Sequence, residues 1–229
     1  VPVYTEIEIA YRYAKNFTYG AITGTNGKTT ITSILYELLA YNNNALVAGN
    51  IGTPLSEVVL QEEEAKKDVA IELSNFQLLG CESFHPVVSV VCNLTPDHLD
   101  YMGSVDAYYE SKMKVYENQN QDDWFLRNVD DENVMKYAQN IPCTIIDFSL
   151  TRMDVDLYRK DGSVYLKDEK LFDENILKIK NAIRYDVNSK TTIEAMSYID
   201  SAFFFDFSST ISNQLTNKRI TAGVDPIRF

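Results

Sequence analysis

Cysteine, histidine and tryptophan are scarce in this sequence. Among 229 residues there are three cysteines, two histidines and one tryptophan. The cysteines, Cys81, Cys92 and Cys143, are odd in number and none stands in a Cys-x-x-Cys pair, so a disulfide scaffold is excluded. A reducing compartment is the simplest interpretation, with all three as small core residues.

Positive charge is in the minority as well. The chain has 21 Lys and Arg against 33 Asp and Glu, which gives a formal net charge of −12. A nucleic-acid binder needs a net positive face to displace counterions, and docking on anionic lipid also needs positive charge. We therefore expect neither nucleic acid nor membrane among the partners.

Long apolar runs are missing too. The longest, such as Val87–Val91, fall far short of the roughly 20 residues that cross a bilayer. The chain also does not open with the basic and then apolar segments of a secretory signal. We expect a soluble cytoplasmic protein and a monomer.

What is present is ordinary for a globular chain, with 45% hydrophobic and 24% charged residues. The length predicts one full domain and part of another. Short apolar segments typical of buried strands are Tyr19–Thr23, Ala45–Ala48, Val69–Leu73, Val87–Asn93, Trp124–Arg127 and Cys143–Phe148. Helices are predicted at Lys28–Ala40, from Pro54 to about Glu64, from an N-cap at Ser104 to about Asn118, and near Asp131–Gln139. This alternation predicts an α/β fold with a mainly parallel sheet flanked by helices on both faces.

The pattern changes from about Asp154. Val155–Tyr158 and Val164–Leu166 flank Lys160-Asp161-Gly162, which predicts a hairpin. The α/β domain is expected to end near Ala182–Tyr185.

The first chemical signal is a glycine turn between a predicted strand and a predicted helix. Its glycines and the helix N-terminus would aim backbone N–H groups at one anion, with Lys28 against the outer phosphates and the Thr29 hydroxyl on Mg²⁺. The full Walker spacing would place a glycine at Ile22, so this is a shortened P-loop. A glycine turn with an incidental lysine is the alternative, and the flanking strand and helix favour nucleotide binding. The candidate ATP-binding residues here are Gly24, Thr25, Asn26, Gly27, Lys28, Thr29 and Thr30.

Two further strand ends carry candidate metal ligands. Mg²⁺ prefers hard oxygen donors, and open α/β sheets bind ligands at the carboxyl ends of their strands. Glu72 lies at one such end, and the segment Asn93–His98 follows the next strand. A lone histidine is more often structural than functional, and this alternative applies to His85.

Lys112 lies on the apolar side of its predicted helix, which is unusual for a charged residue. It shares a stripe with Tyr108, Val115 and Tyr116, whereas Lys114 falls on the opposite side. Burying an ammonium group is costly unless it is paired or discharged. Either only its stem is buried and the amine reaches water, or its pKa is lowered and the amine becomes reactive.

Four motifs occur in order at the ends of predicted strands: Gly24–Thr30 (GTNGKTT), Gly49–Pro54 (GNIGTP), Glu72–Leu78 (ELSNFQL) and Asn93–Asp100 (NLTPDHLD). Together they resemble the Mur ligases, and ELS-x-FQL most resembles the branch that adds D-glutamate to UDP-N-acetylmuramoyl-L-alanine in peptidoglycan precursor synthesis. The resemblance is dense up to Phe148 and thin afterwards. It implies that ATP converts the substrate carboxylate to an acyl phosphate, which the amine of D-glutamate then attacks.

The resemblance also implies roles for individual residues. Lys28 would contact the γ-phosphate, while Thr29, Glu72 and His98 would hold two Mg²⁺ ions. Lys112 falls on the lysine that this family carbamylates with CO₂, which would make it an anionic metal ligand. We therefore expect Lys28, His98 and Lys112 to be catalytic.

Positions that contact substrate or nucleotide elsewhere in the family are also present. Asn50, Ser74 and Gln77 match positions that contact the UDP-muramoyl substrate. Asn181 resembles the end of the segment that holds adenine, and Lys190 matches a residue at the opening of the C-terminal ligase domain. Both are counted as candidate ATP-binding residues.

Several family features are missing from the sequence. Residues 1–11 resemble the join that follows the family's N-terminal UDP-binding domain, and we expect this sequence to lack that domain. We expect an ATP-binding central domain over residues 1–183 and a partial C-terminal ligase domain over 184–229, in which Asn188 replaces the family's Asp. We expect either a truncated chain or a sequence from which internal segments have been omitted.

Other functions stay open on the sequence alone. Another Mur or folylpolyglutamate-type ligase is one alternative, and the ELSNFQL motif speaks against it. A P-loop NTPase or kinase that is not a ligase would not need Lys112 or the His98 loop. A nucleotide-binding fragment without full activity is the third alternative, since two substrate-binding regions are absent.

Overall fold

The computed structural model describes residues 2–14, 16–40, 45–62 and 66–173, with only the backbone described at Leu99, Phe172 and Asp173. Within these ranges, no helix has the length and apolar character needed to cross a bilayer. Asn181, Lys190, the domain boundary near 183 and the partial second domain all lie outside the described residues.

One sheet of nine strands runs through the described part of the chain. The strands are β1 Phe17–Thr23, β2 Ala45–Gly49, β3 Lys67–Glu72, β4 Val88–Val91, β5 Trp124–Asn128, β6 Thr144–Ser149, β7 Leu157–Lys160, β8 Ser163–Leu166 and β9 Glu169–Asp173. Their order is β2-β3-β1-β4-β5-β6-β7-β8-β9. Pairs from β2 to β7 are parallel, and β8 and β9 are antiparallel to their neighbours. The predicted α/β fold with a mainly parallel sheet is confirmed.

Seven α-helices occur in the described ranges. They are α1 Glu6–Tyr13, α2 Lys28–Ala40, α3 Leu55–Gln61, α4 Asn75–Leu79, α5 Leu99–Met102, α6 Val105–Met113 and α7 Glu132–Tyr137, and a 3₁₀ turn, Lys114–Tyr116, follows α6. The N-cap predicted at Ser104 is confirmed, because its hydroxyl accepts the Ala107 N–H at 3.1 Å.

The structure corrects some predicted helix boundaries. Pro54 is the N-cap of α3 and not part of its first turn, and the helix ends at Gln61, before the expected Glu64. The helix that opens at Ser104 tightens after Met113 into the 3₁₀ turn and does not run on to Asn118. Neither α4 nor β9 was predicted, because each is too short to show a clear period.

The sheet is covered on both faces. One cluster of buried side chains joins α1, α3 and α6 to strand residues such as Tyr19 and Ala21. The other joins α2, through Leu35, to the opposite strand face at Ile22. Successive side chains of β1 therefore enter alternate cores, as a strand buried on both faces requires.

The predicted hairpin extends the same sheet. Asp161 and Gly162 form its two-residue turn, with φ of 50° and 72°, and β6 pairs in parallel with β7. The change of pattern at Asp154 therefore does not mark the end of the sheet.

The strand order places one crevice. The chain lays β2 and β3 on one side of β1 and β4 to β7 on the other. In open α/β sheets ligands bind outside the carboxyl ends of the strands where the order reverses. The loops at 24–27, 73–74 and 92–98 follow β1, β3 and β4 at this edge.

Candidate nucleotide and metal site

The phosphate loop leaves β1 through a turn that only glycine can make without strain. Gly24 has φ of 142°, and a Cβ there would lie 3.0 Å from the Cβ of Cys92. Gly27 has φ of 82°, and Lys28 then begins α2. The first N–H groups of a helix have no partner within it, and the helix dipole places partial positive charge there. This end of α2 can therefore bind an anion.

Lys28 is folded back on the loop that it follows. Its Nζ donates to the Thr25 carbonyl at 2.9 Å, and its side chain is half-buried. The ammonium is thus held close to the N-terminus of α2, where the outer phosphates of a nucleotide would lie.

Glu72 joins the phosphate loop to the neighbouring strand. Its carboxylate is buried, with 1% of the residue exposed. One oxygen accepts the Thr29 hydroxyl at 2.8 Å, and the other accepts the Asn50 amide Nδ2–H at 2.9 Å. Three motifs that are distant in sequence meet at this carboxylate.

The GNIG segment rests directly on the end of β3. The Asn50 N–H donates to the Glu72 carbonyl at 2.9 Å. Gly49, with φ of 102°, approaches so closely that an added Cβ would lie 2.2 Å from the same carbonyl oxygen. The close approach of these two backbones positions the Asn50 side chain against Glu72.

Lys112 is fully buried on the other side of the phosphate loop, with 1% of the residue exposed. Its Nζ donates to the Gly24 carbonyl at 2.9 Å and lies 4.7 Å from the centre of the Tyr108 ring. Burial, and next the positive charge of Lys28, lower the pKa of Lys112 from 10.5 to about 7. The structure therefore favours the reactive-amine alternative over a lysine whose amine reaches water.

His98 is exposed, in the loop that follows β4. Its backbone has φ of 53°, and its Nε2 lies 3.6 Å from a carboxylate oxygen of Asp97. The ring stands 5.5 Å from Phe76 and 6.1 Å from Tyr108, between centres. His98 and Lys112 therefore approach the same tyrosine. Across the described ranges, no group of three or more His, Cys, Asp and Glu side chains could hold a metal ion by itself.

Ser74 and Gln77 cap a helix in this structure. The Gln77 N–H donates to the Ser74 hydroxyl at 3.2 Å, and the Ser74 N–H donates to Gln77 Oε1 at 2.9 Å. This reciprocal capping box begins α4 just beyond Glu72. Both side chains are half-buried at the edge of the crevice.

The geometry agrees with comparison to known proteins. A family model described as the Mur ligase middle domain matches residues 22–197. This chain belongs to the Mur ligase family.

Relatives of this Mur ligase chain are named UDP-N-acetylmuramoylalanine–D-glutamate ligase. The one from Geobacillus sp. (strain WCH70) is 43% identical over 154 residues, which cover 67% of this chain and 34% of the relative. The one from Bacillus subtilis (strain 168) is 42% identical over 153 residues, covering 66% and 34%. The Mur ligase chain thus spans about a third of the length of these curated relatives.

Solved structures share the fold at lower identity. A UDP-N-acetylmuramoyl-L-alanyl-D-glutamate–2,6-diaminopimelate ligase aligns with a TM-score of 0.60 at 23% identity, over 86% of this chain and 44% of that one. MurF ligase from Thermotoga maritima in complex with ADP aligns with a TM-score of 0.55 at 21% identity, over 72% and 42%.

Sequence reasoning missed two residues that the structure of this Mur ligase places in the site. Tyr108 packs against both Lys112 and His98, and Asn93 contacts the phosphate loop. From the sequence, Tyr108 belongs only to the apolar stripe of its helix. Asn93 follows a predicted strand, but no local pattern marks which loop its amide would contact.

The structural alternative for His85 is supported by its contacts. Its Nε2 lies 2.6 Å from a carboxylate oxygen of the buried Asp123, at the amino end of the sheet. The three cysteines are free, with Cys81 and Cys92 buried and Cys143 half-buried.

Proposed function

We propose that this chain is the ATP-binding central part of a ligase of the MurD type, which joins D-glutamate to UDP-N-acetylmuramoyl-L-alanine in peptidoglycan precursor synthesis. The observation that carries the proposal is the pair of groups on either side of the phosphate loop. Thr29 is hydrogen-bonded to Glu72 on one side, and the buried Lys112 amine contacts Gly24 on the other. Binding a nucleotide alone would not require a buried amine.

The proposed reaction makes an amide at the cost of ATP. A carboxylate oxygen of UDP-N-acetylmuramoyl-L-alanine attacks the γ-phosphorus, and ADP leaves. The amine of D-glutamate then adds to the acyl phosphate, and the tetrahedral intermediate expels phosphate. Phosphoryl transfer of this kind depends on positioning and charge stabilisation more than on covalent help from the protein.

Lys28 and the N-terminus of α2 would provide that charge stabilisation. The N–H groups at the start of α2 would bind the phosphates, and the Lys28 ammonium, which contacts the Thr25 carbonyl, would move onto the γ-phosphate. We assign Gly24, Thr25, Asn26, Gly27, Lys28, Thr29 and Thr30 to ATP, and Asn181 and Lys190 by resemblance alone.

The donor groups beside the loop fit magnesium. Thr29 Oγ1 and the Glu72 carboxylate are hard oxygen donors, already in contact, and of the kind that Mg²⁺ prefers. A bound ion there would neutralise charge on the phosphates. We assign the second metal site to His98 and carbamylated Lys112.

The lowered pKa of Lys112 supports its carbamylation. A pKa of about 7 leaves much of the amine neutral near neutral pH, and only a neutral amine adds to CO₂. The nitrogen would bond to the carbon of CO₂ and lose a proton, which leaves an anionic carbamate. Two oxygens would then replace the ammonium beside the phosphate loop.

The muramoyl substrate would enter at the β3 end of the crevice. Asn50 is hydrogen-bonded to Glu72, and Ser74 and Gln77 cap helix α4, which follows Glu72 in the chain. Ser74 and Gln77 use their polar atoms to cap α4. We therefore propose that they orient the backbone at the start of α4 and contact the substrate there. We place the activity in the cytoplasm, in a monomer.

The test is substrate-dependent turnover of ATP. We expect a full-length protein containing this chain to release phosphate only when UDP-N-acetylmuramoyl-L-alanine and D-glutamate are both present. Lys28→Ala should abolish acyl phosphate formation and leave the circular dichroism spectrum unchanged. Equal ATP turnover without either substrate would contradict the ligase proposal and favour a simple NTPase.

A second candidate is a nucleotide-binding fragment without full activity. It is favoured by the share of the relatives that this chain spans, about a third. The 229-residue chain would then bind MgADP but not catalyse ligation, which calorimetry and a product assay on the same sample would show.

A further inference from the structure

The pairing of β1 with β4 continues past the end of both strands. The regular ladder ends at Thr23 and Val91. The Cys92 N–H then donates to the Thr23 carbonyl at 2.9 Å, and the Thr25 N–H donates to the Asn93 carbonyl at 3.0 Å. Between these two bonds Gly24 turns the chain out of the sheet.

Beyond that turn, side chains take over the pairing. The Asn26 N–H donates to Asn93 Oδ1 at 2.9 Å, and Asn93 Nδ2 donates to the Asn26 carbonyl at 3.0 Å. A side-chain amide carries the same donor and acceptor as a peptide group, so Asn93 acts as one more residue of β4. Thr25 adds a similar reciprocal pair, since its hydroxyl accepts the Thr95 N–H and donates to the Thr95 carbonyl, each at 3.0 Å.

This pairing divides the N–H groups of the phosphate loop into two sets. Those of Thr25 and Asn26 are bonded to Asn93. Those from Gly27 onward lie at the start of α2, where helix geometry leaves them without intrahelical partners. A loop already held in one shape loses less conformational freedom when it binds a ligand.

We propose that Asn93 is a positioning residue for the nucleotide. Its amide holds the phosphate loop in the anion-binding shape before the nucleotide arrives, and it reserves the Asn26 N–H so that the phosphates meet the amides from Gly27 to Thr30. This inference rests on the proposed nucleotide-binding function. It adds to the site a residue that lies outside the phosphate-loop motif.

The test uses the whole 229-residue chain and two substitutions. Asn93→Ala removes both hydrogen bonds to Asn26. Asn93→Asp keeps the shape and the acceptor, loses the donor to the Asn26 carbonyl and adds negative charge near the phosphates. We expect both to raise the Kd for MgADP, measured by calorimetry, by about tenfold or more, with Asp at least as damaging as Ala.

Asn118→Ala is the matched control. The Asn118 amide also makes two hydrogen bonds, to the carbonyls of Glu82 and Phe84 at 3.0 Å each, but at the amino end of β4. Asn118→Ala should lower the melting temperature about as much as Asn93→Ala and leave the MgADP Kd within twofold of the unsubstituted chain.

Three results would overturn the inference. Both Asn93 variants could bind MgADP within twofold of the unsubstituted chain, or Asn118→Ala could weaken binding as much as they do. In either case nucleotide binding by the chain would stand while the role of Asn93 fell. If the unsubstituted chain itself bound no MgADP, the proposed function would fail and this inference with it.

Discussion

Replacing Lys112 with methionine should stabilise the unmodified protein at low pH. Methionine has a similar length and no charge, so Lys112→Met removes an ammonium group that is buried with 1% of its residue exposed. Natural proteins often keep such unfavourable groups where activity needs them. The size of the effect follows from the pKa.

The pKa of Lys112 is about 7 in the folded chain against 10.5 ordinarily. Each pH unit between these values corresponds to about 1.4 kcal/mol, so the ammonium destabilises the fold by about 5 kcal/mol when it is charged in both states. Methionine also leaves the Gly24 carbonyl without the Lys112 donor, at a cost of about 1–3 kcal/mol. We therefore expect Lys112→Met to be about 2–4 kcal/mol more stable at pH 6.

The sign of the pH dependence follows from proton binding. Between pH 7 and 10.5 the folded chain has lost the proton of Lys112 and the unfolded chain retains it, so the stability of the lysine protein rises with pH. Below pH 7 both states hold the proton and the full destabilisation applies. The advantage of Lys112→Met should therefore shrink by about 1.4 kcal/mol for each pH unit above 7.

Urea unfolding at several pH values, with CO₂ removed from the buffers, measures this difference. Lys114→Met is the control, because Lys114 lies in the 3₁₀ turn that follows α6, is only half-buried and pairs with Glu117. It should change stability by less than about 0.5 kcal/mol at every pH. A Lys112→Met protein that is less stable than the lysine protein at pH 6, by a margin independent of pH, would refute the burial argument.

Three further predictions concern Glu8, Gly49 and the role of Lys112 in ligation. Burial of the Glu8 carboxylate raises its pKa, but hydrogen bonds from the Ser83 hydroxyl, from the backbone at 82–84 and from Arg12 outweigh this and lower the pKa from 4.5 to about 2. Glu8→Gln should therefore cost about 3 kcal/mol in urea unfolding at pH 7, and this difference should fade between about pH 4.5 and pH 2, whereas an unchanged midpoint would contradict it. Gly49→Ala should lower both the melting temperature and the MgADP affinity, because the added Cβ would displace the segment that carries Asn50 from Glu72. Unchanged values of both would show that the close approach of Gly49 to the Glu72 carbonyl is unimportant. Lys112→Ala should abolish ligation in the full-length protein, with no rescue by bicarbonate. The unsubstituted protein should show a mass one CO₂ heavier at Lys112. Full activity in the variant would exclude a carbamate role.

Local patterns predicted the longer elements well. The bounds of α2 are as predicted, because a glycine, Gly27, precedes the helix and its apolar residues recur at helical spacing. The predicted hairpin has the Asp161-Gly162 turn that the sequence indicates. The 3₁₀ turn after Met113 and the five-residue α4 were missed, since neither has a period long enough to detect.

The sequence predicted candidate site residues one at a time, and it did not predict how they are arranged. Lys112 stands out in the sequence because it lies on the apolar face of a predicted helix, where either a buried stem or a buried amine is possible. The amine of Lys112 donates to the Gly24 carbonyl, which is 88 residues away in sequence. Only the packing of these two segments shows that the amine is buried and does not reach water. The expected substrate contacts of Ser74 and Gln77 remain predictions, because here the two side chains cap α4.

What the order of residues determined by itself is the set of local elements, the phosphate loop and the family resemblance, because turn chemistry and hydrophobic period act over a few residues. What only the folded chain decided is which strand ends meet. Asn26 and Asn93 are 67 residues apart, and Asn50 and Glu72 are 22 apart. They come together because β1 inserts between β3 and β4, and this strand order results from how the two cores pack against the sheet rather than from any single segment.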